Sequence, residues 1–217
     1  MGRGSSGMGG GSLSKGSGAN INIENTLDVW SYRHNPDNAP FADQINEGMR
    51  KIQRDFTGIM DSVQTVSAAT LGGKDKRNTL GYYAPGLGGL AINDNYTNID
   101  KMNTTYDAAV KSGFHPKRGR LSGTQAVTLH EAGHALTDYV AKKTGVDFDT
   151  AAANVVKAAY KKSSVKGGNI NFAKTISGYA TKNYAECVAE AVCDYYCNGS
   201  KAKKASKLIM DELRQYK

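Results

Sequence analysis

Apolar residues recur along this chain at two spacings, and the switch between them organises it. From Phe41 through Ile45, Met49, Ile52 and Phe56 they return every three or four positions, the spacing of one helix face. With Asn38 and Pro40 at the start, this predicts a helix over about 39–56. The Val- and Thr-rich run Ser62–Leu71 reads as a strand. Thr79–Ala84 and Leu90–Tyr96, joined by a turn containing Pro85, Gly86, Gly88 and Gly89, read as a β-hairpin.

Beyond the hairpin the helical spacing takes over. Asn98 opens a helix carrying Met102, Tyr106 and Val110 and stopping at Gly113. Phe114–Gly123 is a polar loop. Ser122 or Thr124 caps a helix over Gln125–Lys143 that Gly145 ends. Asp149 or Thr150 starts another, running to about Ser163. Tyr184–Cys197 is a further helix. Ser200 begins the last, which ends near Tyr216 with Ala205, Leu208, Ile209 and Leu213 on one face. No internal repeat is present. One helix, a few strands and then helices only predict an α+β fold, with a small sheet followed by a helical C-terminal half.

Composition bounds this picture. The chain has 217 residues, of which 39% are hydrophobic, enough for one core. The first 20 residues or so are Gly- and Ser-rich and cannot bury apolar surface, so they are expected to be a disordered tail. Residues 21–217 then form a single domain. The start lacks the apolar segment of a secretory signal, and no apolar run reaches the ~18 residues of a membrane span. A cytoplasmic or particle-associated protein without a membrane partner is expected.

Charge and cysteines add little. The net charge is +8, with basic clusters at Lys117, Arg118 and Arg120 and at Lys201, Lys203, Lys204 and Lys207. These read as solvated surface rather than a nucleic-acid footprint, because no nucleic-acid module or aromatic interleaving accompanies them. Cys187, Cys193 and Cys197 lie on one predicted helix and lack a C-x-x-C pair. Reduced, core-facing thiols are expected, with Cys193 and Cys197 directed away from each other.

The chemistry concentrates at His130-Glu131-Ala132-Gly133-His134, inside a predicted helix. Residues four apart stand one turn apart on the same face, so His130 and His134 can reach one ion. Glu131 can then lie beside a metal-bound water as general base. Zinc is the expected metal, since it brings such a water to a pKa of ~7. Gly133 leaves the helix thin for another backbone. A catalytic zinc takes three protein ligands. The positions where a third histidine and its glycine would follow hold Val140 and Thr137, which excludes the metzincin pattern. A downstream carboxylate remains, and Glu186 and Glu190 stand one turn apart on the helix that follows. Asn183 and Glu186 also have capping-box spacing, so Glu186 has a helix-capping alternative. Asp138, four after His134, has a ligand-orienting alternative but reads as exposed surface, and His34 and His115 read as structural or solvent-facing residues.

HEAGH, together with Ile176-Ser-Gly-Tyr-Ala-Thr-Lys-Asn-Tyr-Ala-Glu-Cys-Val-Ala-Glu190, resembles the lethal-factor-like zincins. These include the anthrax lethal factor catalytic domain and domains appended to phage minor head proteins and bacterial toxins. The likeness covers roughly residues 60–217 and is specific at these two motifs. It implies a zincin-like fold and a zinc metallopeptidase acting on a protein or peptide. It further implies Glu186 as third zinc ligand, Tyr179 as a phenol facing the oxyanion, and Glu190 as the acceptor that orients a ligand histidine. Cys187 and Val188 depart from the aromatics common beside the ligand glutamate. By analogy with zincins, the Leu90–Tyr96 strand is expected to be the sheet edge that receives an extended peptide. Two other functions fit the sequence: a phage structural or packaging protein that keeps the fold as a binding module, with virion proteins as partners, and a toxin or effector protease.

Overall fold

The computed structural model describes residues 23–28 and 36–217; the Gly/Ser-rich tail and His34 lie outside the described residues. The architecture is α+β. Four strands, β1 (Ile23–Asp28), β2 (Thr65–Leu71), β3 (Gly81–Ala84) and β4 (Gly89–Asn93), form one sheet in the order β1-β2-β4-β3. β1 pairs antiparallel with β2, β2 parallel with β4, and β4 antiparallel with β3, so the sheet is mixed.

The helices are α1 (Ala39–Asp55), α2 (Asp75–Asn78), α3 (Ile99–Lys111), α4 (Gly123–Thr144), α5 (Phe148–Lys161), α6 (Gly168–Lys174), α7 (Tyr184–Asn198) and α8 (Lys204–Leu213). α1 buries Phe41, Ile45, Met49 and Ile52, the stripe its sequence spacing predicts. Asn98 caps α3 by accepting from the Lys101 amide. Ser122, not Thr124, caps α4. Its hydroxyl accepts from the Gln125 amide while the Gln125 side chain accepts from the Ser122 amide, so two end donors are satisfied reciprocally. Gly145 ends α4 at φ 69°, a left-handed conformation that only glycine adopts without cost.

α4 is the axis of the domain. Every residue from Gly123 to Ala141 is buried, because α1, α3, α5, α7 and the β3–β4 hairpin surround it. Such a helix has no solvent face, so its polar residues must find partners inside. Thr128 and Thr137 bond back to the carbonyls four residues earlier. α7 crosses α4 at Gly133, where an added Cβ would stand 2.6 Å from the Ala189 Cα. The glycine therefore sets how closely the two helices approach.

Several boundaries differ from expectation. α5 starts at Asp147, whose carboxylate accepts from the amide and hydroxyl of Thr150. Residues 168–174 form a helix, α6, where the sequence shows only a Gly/Asn loop entering an apolar segment. α8 starts at Lys204 rather than Ser200, because its cap comes from outside the helix: Asp194 on α7 accepts from the Lys203 amide and the Ser206 hydroxyl. β4 is not an edge strand. It is flanked by β2 and β3, so β3 carries the sheet edge beside α4.

Candidate metal centre

The helical spacing in HEAGH does what the period of 3.6 dictates. His130 and His134 leave α4 one turn apart, with ring centroids 5.1 Å apart and nearly perpendicular. Across the Gly133 crossing, α7 brings Glu186 to both. Glu186 Oε2 lies 3.1 Å from His130 Nε2 and 3.3 Å from His134 Nε2. One ligand atom from each of the three residues falls within 4.8 Å of the other two. Zinc bonds of ~2.0–2.1 Å in a tetrahedron place neighbouring ligand atoms about 3.3 Å apart, so the two observed separations fit that ion.

The hydrogen bonding points the same way. All three residues are buried, and His130 Nε2 and Glu186 Oε2 have no hydrogen-bond partner among the described residues. Buried polar atoms are normally paired, and orphans converging on one point call for a group that accepts their lone pairs. Electrostatics agrees. Burial alone would lower the pKa of the His130 ring, but the carboxylates of Glu186 and Glu190 outweigh it and hold it up to about 10. Burial would raise the pKa of Glu186, but the imidazoles of His134 and His130 drive it well below the usual carboxylate range. The pocket therefore favours positive charge at the point where the three side chains meet.

Asn183 is the N-cap of α7, accepting from the Glu186 amide at 2.7 Å. The Glu186 carboxylate itself is committed to the histidines and to Tyr179, whose hydroxyl donates to Oε1 at 2.9 Å. So Glu186 is not merely a capping side chain. Tyr179 is buried, with its ring 5.8 Å from that of His130. Burial first, then the nearby Glu186, raises its pKa well above the ordinary value, so it keeps its proton as a donor.

Glu131 is 1% exposed and its Oε2 has no hydrogen-bond partner among the described residues. Burial raises its pKa against the opposing effect of the two imidazoles. Its Cγ lies 3.1 Å from where a Cβ on Gly81 would stand, so β3 runs directly alongside it. Glu190 sits one turn beyond Glu186 and accepts from His130 Nδ1 at 2.8 Å. This bond fixes a ring proton on Nδ1, so an ion at Nε2 would take the place of the second proton that the neighbouring carboxylates favour.

Three contributors escaped the sequence. His115 is buried and its Nδ1 lies 2.8 Å from Glu190 Oε1. Ser177 donates to Glu190 Oε2 at 2.6 Å. Asp138, expected at the surface, is buried and accepts from the Tyr83 hydroxyl at 2.8 Å, tying β3 to α4 one turn beyond His134. His115 and Ser177 lie at no helical or strand spacing from the residues they support, so no pattern marks them; Asp138 stands four after His134, but that spacing does not show that it is buried. Ser177 is at least inside the Ile176–Glu190 segment. The cysteines are reduced, but Cys193 and Cys197 do not diverge: their sulfurs lie 3.9 Å apart.

No helix among the described residues is long and apolar enough to cross a membrane. No protein family model, no curated protein and no solved structure matches the chain.

Proposed function

We propose that the chain is a zinc-dependent metallopeptidase of zincin-like architecture, with His130, His134 and Glu186 as ligands. The observation that carries this reading is the convergence of three buried ligand atoms from two helices, two of them without hydrogen-bond partners. The HEAGH motif adds a glutamate next to the first histidine, the arrangement that hydrolysis of a peptide bond requires.

Zinc held there supplies Lewis acidity and makes a water nucleophilic near neutral pH. The protein's own groups do the rest. Glu131 Oε2 takes the proton of the attacking water and returns it to the leaving amine nitrogen, a role suited to a carboxylate whose pKa burial has raised. The Tyr179 hydroxyl turns from Glu186 to donate to the oxygen on which negative charge develops. β3, an edge strand among the described residues, runs beside Glu131, and an extended peptide pairing with that edge brings its carbonyl to the site.

The test compares wild type with Glu131→Gln. Zinc bound near one per chain in both, with peptide-library cleavage by wild type alone and a loss of at least about 100-fold in the variant, is the expected result. Zinc in both without cleavage by either removes the peptidase reading. Absence of zinc in wild type removes the ligand assignment.

A further inference from the structure

Among the described residues, His115 is the one histidine near the centre that the ligand set does not use. Its ring nitrogen Nδ1 meets Glu190 Oε1 at 2.8 Å, and His130 Nδ1 meets the same oxygen at 2.8 Å. Two imidazole N–H groups therefore share one carboxylate oxygen, while Ser177 holds the other oxygen. The Ser177 hydroxyl is itself fixed, since it accepts from the Ala180 amide at 3.1 Å. Three donors from three separate segments thus clamp Glu190. A carboxylate held by His130 alone would be free to rotate about its last bond, and the ring it orients would follow.

The His115 ring has little freedom of its own. It stacks on Tyr106 with centroids 5.3 Å apart and planes 6° from parallel. Phe114 and Tyr179 meet it nearly edge-on, at 5.1 Å and 5.4 Å. Its loop is also joined to the Tyr179 loop, because the Gly178 amide donates to the Gly113 carbonyl and the Tyr179 amide to the Phe114 carbonyl. One segment therefore reaches both sides of the centre: through Glu190 to a ligand ring, and through backbone pairing and ring contact to Tyr179. His115 falls outside the converging group of ligand atoms among the described residues.

We infer that His115 is a positioning residue for the metal centre, fixing the His130 ring through Glu190 and the Tyr179 phenol through its own face. The inference rests on the ligand assignment above. It explains why a buried imidazole bonds a carboxylate that already has two other donors. Loss of outer partners of this kind typically weakens metal binding by 10–100-fold.

The experiment measures zinc affinity by chelator competition, and the visible spectrum of the cobalt-substituted protein, in wild type, His115→Leu, His115→Asn and His115→Gln. His115→Leu removes the donor while keeping apolar bulk. It is expected to weaken zinc binding about 10–100-fold and to shift the cobalt bands. His115→Asn places an amide nitrogen near the position of Nδ1 and should recover most of the lost affinity. His115→Gln carries its donor one atom too far and should not; it serves where the leucine variant fails to fold. Wild-type affinity and spectrum in the folded leucine or glutamine variant, with only a lower thermal midpoint, would make His115 an ordinary core residue and overturn the inference. A wild type that binds neither metal instead overturns the ligand assignment, so the two failures are distinguishable.

Discussion

Two carboxylates on α7, Glu186 and Asp194, are buried almost equally, at 3% and 2% exposure, yet they are used in opposite ways. Asp194 is saturated. It accepts from the Asn198 side chain, the Lys203 amide and the Ser206 hydroxyl at 2.7–2.9 Å, and so fastens the start of α8 to α7. Glu186 is left incomplete: one oxygen accepts from Tyr179, and the other faces two imidazoles without a hydrogen bond. A buried acid with every acceptor filled by backbone and hydroxyl donors is structural. One that turns an unfilled oxygen toward the lone pairs of other groups is arranged for something that is not protein. Burial alone does not separate the two; the donor inventory does.

The comparison can be broken at either end. The largest effect is expected from Glu186→Ala, which should weaken zinc binding by well over the 100-fold that loss of an outer partner costs. Zinc at about a thousand times its Kd should stabilise wild type by about 4 kcal/mol, and the same zinc should leave this variant's denaturation midpoint unchanged. If the variant still binds zinc as wild type does, Glu186 is no more a ligand than Asp194 is.

Asp194→Ala is the mirror case. It strands the buried Ser206 hydroxyl and the Lys203 amide, and should cost about 2–4 kcal/mol in chemical denaturation. Zinc stoichiometry and affinity should not change. A drop in affinity here would mean that the two carboxylates are coupled rather than contrasting.

Gly133→Ala acts between them. The added methyl meets Ala189, which lies between Glu186 and Asp194, and must push α7 away from α4. A destabilisation of about 1–3 kcal/mol is expected, together with weaker zinc binding, since the proposed ligands come from both helices. Unchanged stability would show that the crossing has slack.

Tyr83→Phe should have the smallest effect. It removes the hydroxyl that bridges Asp138 and the Ser62 carbonyl, but leaves Asp138 the Gly86 amide and Lys142. About 1 kcal/mol is expected, measured by denaturant midpoint. A loss comparable to that from Asp194→Ala would make this latch of β3 onto α4 as important as the α7–α8 cap.

These contrasts also show what the chain discloses about itself. The period of 3.6 is local, so α1, α3, α4 and α7 are legible in the sequence to within a residue or two, as are the caps at Asn98, Ser122 and Gly145. The pairing of His130 with His134 is local in the same sense. The start of α8 was misread because its cap, Asp194, belongs to a different helix. Asp138 reads as surface because α4 looks half polar, whereas every residue from Gly123 to Ala141 is buried. The strand order was misread because a hairpin fixes which strands are joined, not which neighbour the second strand takes on its other side. β4 takes β2, and the edge passes to β3.

By itself the sequence determined the α+β class, the helix that carries the histidines, and the residue types available to hold an ion. Only the tertiary structure decided which carboxylate meets them. Glu186, Glu190 and Asp194 follow one another on α7 at spacings of four, and helical periodicity does not tell them apart; only the resemblance of the Ile176–Glu190 segment named Glu186. The Gly133 crossing sets the register of α7 against α4. It places Glu186 at the imidazole Nε2 atoms, Glu190 behind the His130 ring beside His115, and Asp194 at the root of α8. The physical reason is that helical periodicity assigns a side chain to a face, whereas its partner depends on a contact between segments some sixty residues apart, as between His130 and Glu190.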